Sequence, residues 1–217
     1  VQQSFMVSPS TGISVDKTVF KDGKGAQTTA AFSTTAAGEV LVAFVAADGP
    51  ATGQTATVTG AGLTWSLVRR TNARPGTAEI WRAVAPSVLT NVTVTSTLGL
   101  VTAYDQSLTL VAFKGATGVG ASASANAATG APTVAVTTTK AGSWVYAVGN
   151  DWDRAVARTV GAGQALVHQF VDSAIGDTYW TQSAAAPTAT IGTVVSMSDT
   201  APTNDRWNFT AVEVLAG

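Results

Sequence analysis

His168 is the sole histidine of the chain, and no cysteine is present. Together these limit the nucleophilic chemistry the sequence can offer. A Ser-His-Asp triad needs the imidazole beside a nucleophile and an orienting carboxylate, and no Gly-x-Ser-x-Gly elbow is there to expose a serine. Paired carboxylates for glycoside hydrolysis would have to come from Glu39, Glu79 and Glu213, which all sit within or at the edge of strand-like runs. His168 is therefore read as structural and the chain as non-enzymatic. Without cysteine there is no thiol nucleophile, metal-thiolate site or disulfide framework.

Oxygen ligands are more plentiful. Asn150, Asp151 and Asp153 place three hard oxygen donors in the turn-like stretch Asn150-Asp151-Trp152-Asp153. Ca²⁺ accepts such donors in flexible geometry, with Asp205 or Asp199 to complete the shell. The pattern is not an EF-hand loop. The alternative is that Asn and Asp build the turn by bonding their own backbone. Lys21-Asp22-Gly23-Lys24-Gly25 is a plainer turn of the same kind.

Aromatic side chains offer a third chemistry. Flat rings beside amide donors can stack and hydrogen-bond a sugar; the competing use is core filling. Trp152 in its polar turn, Tyr179, Trp180, Trp207, His168 and Gln169 form the candidate binding set. Tyr179 and Trp180 are adjacent and must face opposite sides of a strand, so at most one is expected in solvent. Trp144 and Tyr146, inside an apolar run, are expected in the core. Gln169, Tyr179 and Gln182 loosely match the polar residues on jelly-roll polysaccharide lyases, but order and spacing differ. Asn91-Val-Thr and Asn208-Phe-Thr fit a glycosylation sequon, which a threonine-rich chain produces by chance.

Composition narrows the partners. The chain has 217 residues, 12 Lys and Arg against 13 Asp and Glu, and a formal charge of -1. No basic stripe is available to neutralise phosphates, which argues against nucleic acid. The longest apolar run, Val40 to Ala47, falls far short of the roughly 18 residues a spanning helix needs. A weakly charged, Thr/Ser/Ala/Gly-rich, cysteine-free chain that opens on Val1 fits a processed extracellular protein of bacterial type, or a piece cut from a longer one.

These groups must be positioned by strands. Runs rich in Val, Thr, Trp and Phe, separated by Gly, Asn, Asp or Pro, are expected over 28–34, 39–47, 55–59, 64–70, 78–83, 91–96 and 107–114. No run keeps a 3.6-residue period, so the chain is read as all-β, a two-sheet jelly-roll-like sandwich. The chain also repeats itself. Phe32 to Gly49 matches Val136 to Asp153, Gly60 to Arg70 matches Gly161 to Gln169, Gly76 to Trp81 matches Gly176 to Trp180, and Asp105 to Ala116 matches Asp205 to Gly217. Pseudo-repeats of about 100 residues are placed at 16–116 and 117–217. They either interleave in one sandwich domain, 16–217, or form two small sandwiches. The small-residue stretch 115–132 is read as a linker or crossover.

The stretches AGEVLVAFVAADG, LTWSLVRR, GTAEIWRA, SLTLVAF, GNDWDRAVART, LVHQ, GDTYW and DRWNFTAVEV resemble an accessory β-sandwich module of modular bacterial extracellular proteins, adhesive or carbohydrate-active. The resemblance runs from about Phe20 to the C-terminus. It implies a secreted, non-catalytic role and one interleaved domain, and it brings no catalytic residues.

Residues 1–15 lie outside the repeat. The stretch Gln3-Ser-Phe-Met-Val7 is strand-like, with Phe5 and Val7 on one face, and Ser8 to Gly12 follow as a hinge. The segment either docks on its own sheet or, as a donor strand, on a neighbour's edge. Repeated head to tail, the latter contact makes a filament. The sequence thus points to an extracellular or cell-surface protein whose partner is itself or a polysaccharide, acting in structure or adhesion. Carbohydrate binding is the alternative.

Overall fold

The computed structural model describes residues 12–51, 53–100 and 102–217. Gln3, Phe5 and Val7, the residues expected to act in assembly, lie outside them. All regular structure in the described residues is antiparallel β. The first half forms β1 (Ser14–Lys24), β2 (Gln27–Thr28), β3 (Glu39–Ala47), β4 (Ala56–Gly60), β5 (Ser66–Thr71), β6 (Thr77–Ala85), β7 (Val94–Leu98) and β8 (Asp105–Lys114). The second forms β9 (Ala116–Ala127), β10 (Thr133–Thr137), β11 (Trp144–Asp151), β12 (Thr159–Val160), β13 (Gln164–Asp172), β14 (Asp177–Ala184), β15 (Val194–Ala201) and β16 (Trp207–Ala216).

The sheets show the duplication directly. The first half pairs its strands as β1-β8-β3-β6-β5 and β2-β7-β4; the second pairs them as β9-β16-β11-β14-β13 and β10-β15-β12. Adding eight to each strand number converts one half into the other. The order is that of a jelly roll, with the fifth strand of each half hairpinned onto the sixth rather than closing the smaller sheet. Every sheet is drawn from one half only, so the strands of the halves do not interleave.

The two five-stranded sheets meet face to face, and a three-stranded sheet covers the outside of each. Three core layers follow. Val40, Val42, Phe44, Val111 and Phe113 meet Tyr146, Val148, Tyr179, Val212 and Val214 across the seam between the halves. Leu41, Ala43, Val45, Leu108 and Leu110 face Val58 and Val94 of the first half's small sheet. Val145, Ala147, Trp180 and Phe209 face Val134, Val136 and Met197 in the second.

This layering explains the hydropathy of the strands. β3 and β11 are buried along both faces, so their sequences are continuous apolar runs, as expected of a sheet covered twice. The outer strands β4 and β10 have one wet face and alternate.

Two expectations are corrected. The stretch 115–132 is no loose linker: β9, 12 residues long, occupies most of it and pairs with β16 from Ala116 to Ala127. Its Ala, Gly and Ser side chains hide strand propensity, and pairing supplies what propensity lacks. β1 was absent from the expected strands because Lys and Asp interrupt its apolar residues; among the described residues it is an edge strand, paired with β8.

Candidate functional site

The turn after β11 is held by arginines. Asp151 pairs with Arg158, both fully buried; Asp153 pairs with Arg206; Asp205 pairs with Arg154 at 2.6 Å. The Asp153 backbone N–H donates to Asp151 Oδ1 at 2.7 Å, and the Arg206 N–H donates to Asp153 Oδ2 at 2.6 Å. Asn150, expected beside these carboxylates as a ligand, points across the seam instead. Its Nδ2 donates to the Pro75 carbonyl at 3.0 Å, and its Oδ1 accepts from Asn208 Nδ2 at 3.0 Å. Among the described residues no three His, Cys, Asp or Glu side chains group so as to hold a metal ion. The acidic turn is thus an ion-paired corner linking the strand ends of β11 and β16.

Beneath it lies a buried polar cluster. The Arg158 guanidinium sits 4.5 Å over the Trp180 ring, and its backbone N–H donates to Gln169 Oε1 at 2.6 Å. Trp180 Nε1 donates to Gln182 Oε1 at 2.8 Å, and Gln182 Nε2 donates to Gln164 Oε1 at 2.6 Å. Asp199 is 3% exposed, and neither of its oxygens meets a donor within ordinary hydrogen-bond geometry among the described residues, although the Gln182 amide lies near enough to act on it. Burial pushes its carboxyl up to about 7, against the pull of nearby Arg158 and the Gln182 amide. Burial likewise raises Asp151 to about 6, with Arg158 opposing.

A second group of carboxylates gathers where the halves meet. Asp48 and Asp105 come from the first half, joined through the Asp48 N–H donating to the Asp105 carbonyl at 2.9 Å. Asp172 and Asp177 come from the second, directly opposite each other in the β13–β14 hairpin. Tyr179 Oη donates to Asp177 Oδ2 at 2.9 Å. Burial, then the charge of Asp48, lifts Asp177 to about 7; burial lifts Asp48 to about 6. Asp105 is raised as well, by burial and by Asp172.

His168 joins the two outer strands of the seam. Its ring stacks on Phe20 of β1 at 3.8 Å, and Nε2 lies 2.9 Å from Asp22 Oδ2. This clasp ties β13 to the first half. Of the aromatic set, Tyr179, Trp180 and Trp207 are buried, at 0%, 1% and 4% exposure, so none offers a face to a sugar. Tyr179 and Trp180 do face opposite sides, but both sides are core. Trp207 Nε1 is committed to the Gly130 carbonyl at 2.9 Å. Tyr146 is core as expected, and Trp144 packs there with Nε1 on the Ala184 carbonyl. Trp152 alone keeps substantial exposure, 38%, with the Arg206 guanidinium 4.5 Å over its ring.

Glu79 is a densely connected polar residue of the first half. Fully buried, it takes a two-pronged contact from Arg70, at 2.7 and 2.9 Å, and accepts from Ala56 N–H, Thr77 Oγ1 and Trp81 Nε1. An acidic residue amid Ala, Ile and Trp in a strand was the available signal; Thr77 and Trp81 flank it in β6, while Arg70 and Ala56 come from β5 and β4. Asn208 is also buried, bonding Arg74 and Pro75 backbone atoms across the seam, so its sequon is sealed in the fold.

No protein-family model matches the chain, and no curated protein or solved structure does either.

Proposed function

We propose that the chain is a non-catalytic structural and adhesive β-sandwich protein of the extracellular space or cell surface, which assembles with copies of itself by strand addition from its N-terminal segment. One observation carries this reading. The histidine, the acidic turn and the buried aromatics satisfy one another inside the molecule, in ion pairs, amide contacts and ring stacks. Such groups brace two sandwiches into a stiff body, which suits a load-bearing or spacing role. The resemblance of its sequence stretches to accessory extracellular modules is in keeping with this reading.

The test is sedimentation velocity and negative-stain microscopy of the full chain and of a form lacking residues 1–11. Concentration-dependent linear oligomers are expected from the first and monomers from the second. A full chain that stays monomeric at high concentration overturns assembly. The second reading is glycan binding at Trp152, favoured by the exposure of that ring beside Arg206. It predicts retention of the monomer on a polysaccharide column and loss of retention in Trp152→Ala.

A further inference from the structure

Four strands end the two five-stranded sheets: β1, β5, β9 and β13. Open edges invite pairing with other chains, and proteins blunt them with charges and bulges. β1 carries Asp16, Lys17, Lys21, Asp22 and Lys24 in its 11 residues, with a bulge between Val15 and Lys17. β5 carries Arg69 and Arg70 and a bulge between Leu67 and Arg69. β13 has a bulge between Leu166 and His168 and is clasped by β1 through His168. β9, the counterpart of β1 in the second half, differs. Its 12 residues contain no charged side chain and no proline. Among the described residues its only strand partner is β16; the ladder shifts between Val119 and Ser122 and again between Ala116 and Gly118, but from Ser122 to Ala127 the register to Val212–Trp207 is unbroken, so the difference from β1 lies in charge.

The core beside this edge is also thinly covered. Ala121, Ala123, Ala125 and Ala127 are partly buried and form the rim of the second half's core. A neighbouring strand bearing larger apolar groups at alternate positions would cover that rim while pairing with the free backbone. The chain supplies such a strand. Gln2 to Val7 is six residues long, uncharged and free of proline, with Gln3, Phe5 and Val7 in one alternating set. The edge run Ser122–Ala127 is also six residues.

The route leaves from the same corner. Ile13 is buried with Ala116 and Ala216, and Ser14 pairs with Lys114, two residues before β9 begins. Between Val7 and Ile13 the sequence has only the five residues Ser8 to Gly12, Pro9 among them, and a short connection of this kind favours exchange between molecules.

We propose that the β9 edge, over Ser122–Ala127, accepts the strand Gln2–Val7 of a second copy of this chain. Phe5 and Val7 cover the alanine rim, while the backbone of β9 gains a second ladder. The inference rests on the self-assembly reading and names the surface it uses.

The absence of cysteine makes disulfide mapping clean. Met6→Cys and Ser124→Cys single variants are mixed and oxidised; a disulfide-linked heterodimer is expected. Met6→Cys mixed with Thr18→Cys, on the charged twin edge, is expected to give none. In parallel, Ser124→Lys restores a charge of the kind β1 carries. It is expected to raise the concentration for half-assembly at least tenfold, with an unchanged near-UV circular dichroism spectrum in the monomer. Assembly that persists in Ser124→Lys without the Met6–Ser124 link overturns the acceptor edge and leaves self-assembly standing. An intramolecular link in a dilute Met6→Cys/Ser124→Cys double variant overturns the second copy as donor. A full chain that never assembles overturns the reading on which both depend.

Discussion

Glu79 shows how a buried charge is made tolerable. Its two oxygens meet a guanidinium, a backbone N–H, a hydroxyl and an indole N–H, so the desolvation of one carboxylate is shared among many donors. The corresponding position of the second half is the uncharged Trp180, with the Arg158 guanidinium over its ring. Glu79 lies opposite Val45, and Trp180 lies opposite Gly149, the counterpart of Val45. Arg70, across from Glu79, is replaced by Gln169, across from Trp180. Removing the carboxylate would strand the Ala56 N–H. Glu79→Ala is expected to destabilise the protein by about 1–3 kcal/mol, the cost of leaving buried donors such as the Ala56 N–H unsatisfied, since Arg70 is partly exposed and keeps the Ala56 carbonyl. Glu79→Gln, which keeps the shape but not the charge, should lose less. Chemical denaturation of both variants checks the order; equal losses would show that packing rather than charge is at stake.

At the scale of strands, the duplicated sequence exposed most of the fold and concealed part of the site. Glu39–Ala47 is a strand with the bounds its apolar run indicates, and Val40 to Phe44 has its counterpart in Trp144 to Val148. Continuous apolar runs could not reveal which sheets meet, because a strand covered on both faces reads the same whatever covers it. The acidic turn was legible as a turn, yet its arginine partners at 158 and 206 come from loops that only the fold brings together. The repeat also hides substitutions of role. Glu39 Oε1 accepts from Thr35 and Ala36 N–H, and Glu213 Oε1 does the same for Thr139 and Lys140 from a different strand. Gly149 has a reason of the same kind. A Cβ there would lie 2.3 Å from the Trp180 ring, so the largest side chain of that core requires the smallest residue across from it. Gly149→Val, which restores the first half's residue type, is expected to cost about 1–3 kcal/mol through overpacking. The loss should shrink in the Gly149→Val/Trp180→Phe double variant. Urea denaturation of the single and double variants measures this coupling, and strict additivity would refute it.

The whole molecule is two sandwiches pressed together through their larger sheets, and the seam carries acid as well as apolar side chains. Asp48, Asp105, Asp172 and Asp177 face one another at one end of it, with Asp151 and the Tyr179 hydroxyl adjacent and Lys24 as the cation that acts on Asp105. Asp177 is raised to about 7 and Asp48 to about 6, while an unfolded aspartate titrates near about 4. Between those values the folded state holds protons that the unfolded chain releases, so stability falls as pH rises. The contribution is fully present below the unfolded pKa, and it is lost as pH climbs through the folded value. Buried Asp199, raised to about 7, acts in the same direction. Asp153, held low by Arg206, and Glu213, held low by Thr139 and neighbouring N–H groups, act oppositely and lose their contribution as pH falls below the usual carboxylate range. The melting temperature is therefore expected to peak in mildly acidic solution and decline toward pH 8. Asp177→Asn keeps an acceptor for Tyr179 but removes the charge. It should raise the melting temperature at pH 8 and flatten the decline, by roughly 2–4 °C for each kcal/mol in a chain of this length. Scanning calorimetry of both proteins at pH 5 and pH 8 decides it. A wild-type melting temperature higher at pH 8 than at pH 5, or an Asp177→Asn variant with the same slope as the parent, would show that the carboxylates at the seam do not govern how firmly the halves hold together.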